Sequence, residues 1–426
     1  YYNLALALDR LGDVRAERQA LEQAATLNAS LATVHNQLGF LNLQSGRDSE
    51  AEEQFKLAIS LDAQYAEAQN NLGVLYGRQG KTKQAEQLFR EATENNPQYA
   101  QAFVNLGLIL ASESRFSDAD QALQSAIQLK PDDTKALTGQ AMVLGRLGQQ
   151  SEALELFRKI IALDPKSTEA HLNLGIALAD RFKLEAALAE FSEAVRLAPE
   201  CSACHYNKGR VLLDLQRNDE AKPELDSAVR LDPNFAEGWY LLGLIQKDAG
   251  NTQESIKLFE KSLAGDPQNP DALYKLGQGL LQTGDRAGAV ALWRQVIAIK
   301  PDYGEAFYNL SRILAKDDPE EAKRLQVRFE DLQKREHIMD RAQTLGNFAL
   351  ASAGARDWQQ AISQLKEALQ VCGDCSALPQ LHKDLGLIYC HSGDVKNGLA
   401  ELQEAQRLTP QDPEVAQAIR VAQERR

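Results

Sequence analysis

The chain has 426 residues, 44% of them hydrophobic and 25% charged, with a formal net charge of −13. That acidic balance argues against a nucleic-acid-binding surface, because a phosphate backbone is held by clustered cations. No apolar stretch is long enough to span a membrane, and the two or three domains ordinarily suggested by this length give way to an internal repeat.

From the first residues a small side chain recurs every 34 positions: Ala5, Gly39, Gly73, Gly107, Ala141, Gly175, Gly209, Gly243, Gly277 and Ser311. A period of this size marks stacked helical units. Numbering each unit so that this residue is position 8, a large apolar residue usually precedes it, as at Leu38, Leu72 and Leu106. Position 20 is small (Ala51, Ala85, Ala119, Ala153, Ala187, Ala221, Ala289) and position 24 is bulky (Phe55, Phe89, Leu123, Phe157, Phe191, Leu225, Phe259, Trp293). Glycine often marks position 15, and proline closes most units from Pro97 to Pro301. Each unit is therefore predicted as helix A, a turn at position 15, and helix B stopped by proline.

These landmarks resemble the tetratricopeptide repeat family along nearly the whole chain. The resemblance implies an all-α, right-handed solenoid of about twelve helix-turn-helix units. It also implies that helix A positions 2, 5, 6, 9, 12 and 13 face an inner, concave surface.

Ten units hold strict register over residues 1–318, the first incomplete. Residues upstream of Tyr1, which falls at position 4, are expected to have been removed. Pro319 then stands where helix B should begin, and no Gly or Pro follows until Gly346. Residues 319–341 are charge-rich with a short stripe of Leu325, Phe329 and Leu332, and are predicted as a lengthened helix that bends the array. Register resumes over 342–412 as two more units. Residues 413–426 are predicted as a capping helix, since Arg420 falls at position 8, where close packing excludes it.

Three columns stand out beyond the packing pattern. Position 6 carries Asn3, Asn71, Asn105, Asn173, Asn207, Asn309 and Asn347. Asn is a poor helix-interior residue, and its carboxamide matches both groups of a peptide bond. This column resembles the asparagine ladder in the repeat half of O-linked N-acetylglucosamine transferases, which implies a ligand held as an extended peptide. Position 5 carries Tyr206, Tyr240, Tyr274 and Tyr308 in four successive units. Tyrosine suits an interface, and stacking between adjacent units accounts for the column equally well. Position 9 is apolar from Leu6 to Ile176 and then turns polar at Arg210, Gln278 and Arg312. A carboxylate clamp for a chaperone tail is disfavoured, because only Lys383 fits its pattern. The expected partner is thus a protein or peptide in the concave groove. Head-to-tail self-association through an apolar end is the alternative.

Cys201-Ser202-Ala203-Cys204-His205 matches the C-x-x-C-H of covalent haem attachment. His205 is at position 4, however, where His35, His171 and His382 also stand, so the repeat explains it without a cofactor. Cys372 and Cys375 form a second C-x-x-C. A local disulfide or a pair of free thiols is the expected reading at each, with disulfides favoured if the chain is exported, and no metal site is expected. Cys390 is expected to be a buried single thiol. No H-E-x-x-H, G-x-S-x-G or P-loop pattern occurs, so no catalytic residue is assigned.

Overall fold

The computed structural model describes residues 1–424, all-α throughout. The helices are α1 (Tyr2–Leu11), α2 (Val14–Leu27), α3 (Ala32–Gln44), α4 (Asp48–Leu61), α5 (Ala66–Arg78), α6 (Thr82–Asn95), α7 (Ala100–Ser112) and α8 (Phe116–Leu129). Then follow α9 (Thr134–Arg146), α10 (Gln150–Leu163), α11 (Thr168–Ala179), α12 (Leu184–Leu197), α13 (Ser202–Asp214), α14 (Asn218–Leu231), α15 (Ala236–Asp248) and α16 (Thr252–Gly265). The last are α17 (Pro270–Gln282), α18 (Arg286–Ile299), α19 (Gly304–Leu314), α20 (Pro319–Gly354), α21 (Trp358–Cys372), α22 (Leu378–Ser392), α23 (Val395–Leu408) and α24 (Pro413–Glu424). Odd-numbered helices up to α19 are the A helices. The chain divides into two compact units, one from Tyr1 to Leu242 and one from Gly243 onward.

Within a repeat the A and B helices meet where positions 8 and 24 face each other. A Cβ on Gly73 would lie 2.7 Å from the Phe89 ring, and one on Gly277 would lie 2.5 Å from Trp293 Nε1. The bulky partners are buried, and the Trp293 indole N–H donates to the Tyr274 carbonyl at 3.1 Å. Adding a methyl group at such a slot forces off-rotamer packing, at a cost of about 1–3 kcal/mol. The 34-residue spacing of small residues is thus a steric requirement.

The turn at position 15 is left-handed at Gly46, Gly80, Gly148, Gly250 and Gly284. It is also left-handed at Ser114, Phe182, Gln216 and Arg356, where glycine is missing. The stacking of A on B fixes this conformation, and side chains there accept strain of about 1 kcal/mol. Phe182 is the extreme case, at φ 56° and 87% exposed.

The charged segment differs from the boundary drawn at residue 341. α20 is one unbroken helix of 36 residues, which also supplies the A helix of the eleventh repeat. Its start is well specified: the Asp318 side chain accepts from Glu321 N at 2.9 Å, Pro319 occupies the first turn, and Glu320 and Glu321 suit the positive end. Nothing in the following sequence stops it. Leu325 is buried, Phe329 and Leu332 are half-buried against the same core, and residues 333–337 are exposed before Ala342 and Ala349 are buried again.

At the C-terminal end Val415, Ile419 and Ala422 of α24 pack with Leu399, Leu402 and Ala405, and Arg420 stays exposed. Arg425 and Arg426, the last residues of the expected capping helix, lie outside the described residues.

Candidate functional site

The A helices of the first unit present the asparagine column, and two of its members are already bonded. Asn71 Nδ2 donates to Asn36 Oδ1 at 3.0 Å, and Asn105 Nδ2 donates to Asn70 Oδ1 at 2.8 Å. Asn36 Nδ2 reaches the Tyr65 hydroxyl at 3.4 Å, Asn70 Nδ2 reaches Asn71 Oδ1 at 3.5 Å, and Gln101 Nε2 donates to Asn105 Oδ1 at 3.2 Å. All donors point one way, from Gln101 through Asn105, Asn70, Asn71 and Asn36 to Tyr65. Asn36, Asn70 and Asn105 are buried. Inside a low-dielectric interface such chained amides reinforce one another. Position 6 therefore staples α5 to position 5 of α3 and α7 to position 5 of α5. The signal was present in the sequence as a 35-residue spacing, Asn36 to Asn71 and Asn70 to Asn105. Burial raises the Tyr65 phenol to about 12.

The other members of the column behave as their neighbours dictate. Leu172 offers no acceptor at position 5, so Asn207 Nδ2 turns back to the Ala203 carbonyl of its own helix at 2.8 Å. In the second unit Tyr274 takes the place of the amide, and Asn309 Nδ2 donates to its hydroxyl at 2.7 Å. Asn347 is exposed on α20.

The tyrosine column stacks onto the next turn. The ring of Tyr206 lies 4.7 Å from that of Phe235, Tyr274 lies 5.1 Å from Tyr303, and Tyr308 lies 5.2 Å from Phe329. Tyr274 is buried, while Tyr308 remains exposed with the Arg312 guanidinium over its ring at 5.4 Å. Burial raises the phenols of Tyr206 and Tyr274 as well. Tyr240 is half-buried in α15. Arg210 is half-buried in α13, and its Nε is buried without an acceptor.

A different arrangement opens between α9 and α11. Thr138 and Gly139 hold positions 5 and 6 of α9, so no amide is offered to Asn173. A groove of 380 Å³ lies between the later part of α9, from Ala141 to Arg146, and α11, with α10 as its floor. Its walls include Met142, Gly145, Asn173 and Ile176, its floor Phe157, and its edge Arg146 and Asp180. Met142 is 58% exposed, and open space faces Gly145. This groove was not legible in the sequence, because it depends on what two neighbouring helices fail to place between them.

The cysteines form two local bridges, Cys201–Cys204 and Cys372–Cys375. Cys390 stays outside both and is half-buried rather than buried. His205 Nδ1 lies 2.6 Å from Glu224 Oε2 and its Nε2 lies 3.0 Å from the Pro199 carbonyl. His171 repeats the pattern with Glu190 and Pro165. Covalent haem requires both sulfurs and a free imidazole nitrogen. Here the sulfurs are joined to each other and both nitrogens are partnered. Lys383 is likewise engaged, with Glu414 at 2.9 Å. Among the described residues no group of three or more His, Cys, Asp or Glu side chains could hold a metal ion, and no helix is long and apolar enough to cross a membrane.

Comparison with known proteins identifies the repeat. Family models described as tetratricopeptide repeat match residues 1–31, 30–98, 70–134, 138–200, 206–270 and 247–312. No curated protein gives a significant match. Among solved structures, the chain is similar to YrrB, a tetratricopeptide-repeat protein described as having an unusual peptide-binding site. That likeness has 25% identity, covers 44% of this chain and 96% of YrrB, and gives a TM-score of 0.39. PilF of Pseudomonas aeruginosa shares 21% identity over 48% of this chain and 92% of its own, with a TM-score of 0.44. A repeat protein of Parabacteroides merdae shares 17% over 58% of this chain and 98% of its own, with a TM-score of 0.48.

Proposed function

Because the chain belongs to the tetratricopeptide repeat family, whose members generally mediate protein–protein interactions, we propose that it is a scaffold that binds an extended peptide segment, seated in the groove between α9 and α11. The observation that carries this reading is an exposed Met142 beside Ile176 and the open space at Gly145, flanked by Asn173, Arg146 and Asp180. An apolar wall with a few polar groups at its edge suits a segment that buries one apolar side chain and fixes its backbone by hydrogen bonds. Met is adaptable enough to accept more than one such side chain. The carboxamides of Asn71 and Asn105 are committed within the protein, so the peptide contact is assigned to Asn173 instead.

The test is selection from a random peptide library against the whole chain, followed by affinity measurement on the selected peptides. Met142→Glu and Ile176→Glu are expected to weaken binding at least about tenfold, by burying a charge against an apolar side chain. Failure to select any peptide, or equal binding by both variants, would remove the proposal.

A further inference from the structure

The two disulfides share a spacing and differ in their electrostatic setting. Cys201 is the N-cap of α13, and its Sγ accepts the Cys204 backbone N–H at 3.1 Å. The amide that closes the helix start is therefore aimed at sulfur. Cys201 is partly exposed, whereas Cys204 is fully buried. The first turn carries no acidic residue, and the Glu224 carboxylate close by is matched by His205 and by Lys208 Nζ at 2.6 Å. Cys372 is the reverse case. It is the last residue of α21, 3% exposed, and faces the negative end of its own helix. A helix start stabilises a thiolate and a helix end opposes one.

We propose that Cys201–Cys204 is a thiol-exchange site whose substrates are small or protein-borne dithiols, while Cys372–Cys375 is a fixed structural bridge. An incoming thiolate attacks the accessible Cys201 Sγ. The S–S bond breaks, Cys204 leaves as a thiolate and takes up a proton, and a mixed disulfide forms at Cys201. The second thiol of the donor then attacks its own sulfur in that mixed disulfide. Cys201 departs as a thiolate held by the start of α13. Two electrons have moved from the dithiol, now a disulfide, to the protein; of the dithiol's two protons one is balanced by the proton on Cys204 and the other is released to solvent. The helix effect lowers the free energy of the reduced form at this pair and not at the other, so Cys201–Cys204 is the more oxidising of the two. The exchange site begins the helix that carries Tyr206 and Arg210, but its chemistry is independent of peptide binding.

The whole chain, oxidised, is equilibrated across a series of reduced-to-oxidised dithiothreitol ratios, quenched in acid and alkylated, and each cysteine is read by peptide mass. Cys201 and Cys204 are expected to reach half-reduction at a ratio at least about tenfold lower than Cys372 and Cys375. Equal midpoints, or reduction of Cys372–Cys375 first, would overturn the assignment. The position of attack is read from single thiols. Cys204→Ser, which keeps Cys201, should form an adduct with oxidised glutathione at least about tenfold faster than Cys201→Ser, which keeps the buried Cys204. Equal or reversed rates would overturn it. If either variant loses its helical circular dichroism, the titration of the unaltered chain decides.

Discussion

The interfaces of α3, α5 and α7 are sealed, and the interface between α9 and α11 is open. Both are built from helix A of the same 34-residue unit, with a small residue at position 8 (Ala141 in α9, glycine in the others) and a buried aromatic or leucine at position 24. They differ at positions 5 and 6. Where Asn36 and Asn70 meet Asn71 and Asn105, carboxamides close the gap. Between α9 and α11 no such carboxamide pair forms, and a 380 Å³ groove lies beside Asn173, lined by Met142, Gly145 and Ile176. The carboxamide pairs thus mark the closed interfaces, and the groove lies where the column lacks them.

The largest expected effect comes from breaking the sealed side. Asn70→Ala strands Asn105 Nδ2 and Asn71 Oδ1 in a buried interface, and each unsatisfied group costs about 1–3 kcal/mol. A loss of about 3 kcal/mol in urea unfolding is expected, against less than about 0.5 kcal/mol for Asn173→Ala at the open side. Equal losses would dissolve the contrast between the two interfaces.

A smaller and opposite effect is expected at the turns. The sealed repeat of α5 turns through Gly80, and the open repeat of α11 turns through Phe182, both with positive φ. Phe182→Gly should raise the unfolding free energy by about 1 kcal/mol, because the left-handed strain is removed and the exposed ring contributes little packing. A loss of stability would mean that the ring has a contact of its own.

The weakest effect is alkaline. Burial raises Tyr65, at the end of the amide chain, to about 12 from an ordinary value near 10. The unfolded phenol ionises first, so stability is complete below about pH 10 and falls as pH rises toward 12. Allowing for partial solvent access, the fall from this group is about 1 kcal/mol. Unfolding of Tyr65→Phe between these pH values should lose that part of the slope. An unchanged slope would place the alkaline sensitivity elsewhere, with Tyr274 and Tyr206 next in line.

Of the groove's lining, only Asn173 from the asparagine column and Met142 and Ile176 from position 9 stand in columns that the sequence singled out. Asn71, Asn105 and Asn309 stand in one column, and each donates to a residue 35 positions earlier. A column read one position at a time does not reveal such diagonal pairs. Tyr274 and Tyr308 share a column too. Yet one is buried beneath Tyr303 and the other is exposed beside Arg312. Identity at a repeat position determines which face a side chain leaves from. Its neighbour in the next repeat determines whether solvent reaches it.

By itself the sequence determined the helical repeat and its 34-residue register, because close packing of two helices leaves little freedom in residue size at position 8; that position 24 fills that slot within the same repeat came from the structure. It also determined the start of α20, through Asp318 and Pro319. Only the tertiary structure decided that α20 runs on as an A helix, that the asparagine column is partly spent as an internal staple, and that the groove opens between α9 and α11. Those features depend on pairs of side chains brought together across repeats, where the presence or lack of one hydrogen-bond partner decides between a closed interface and an open one.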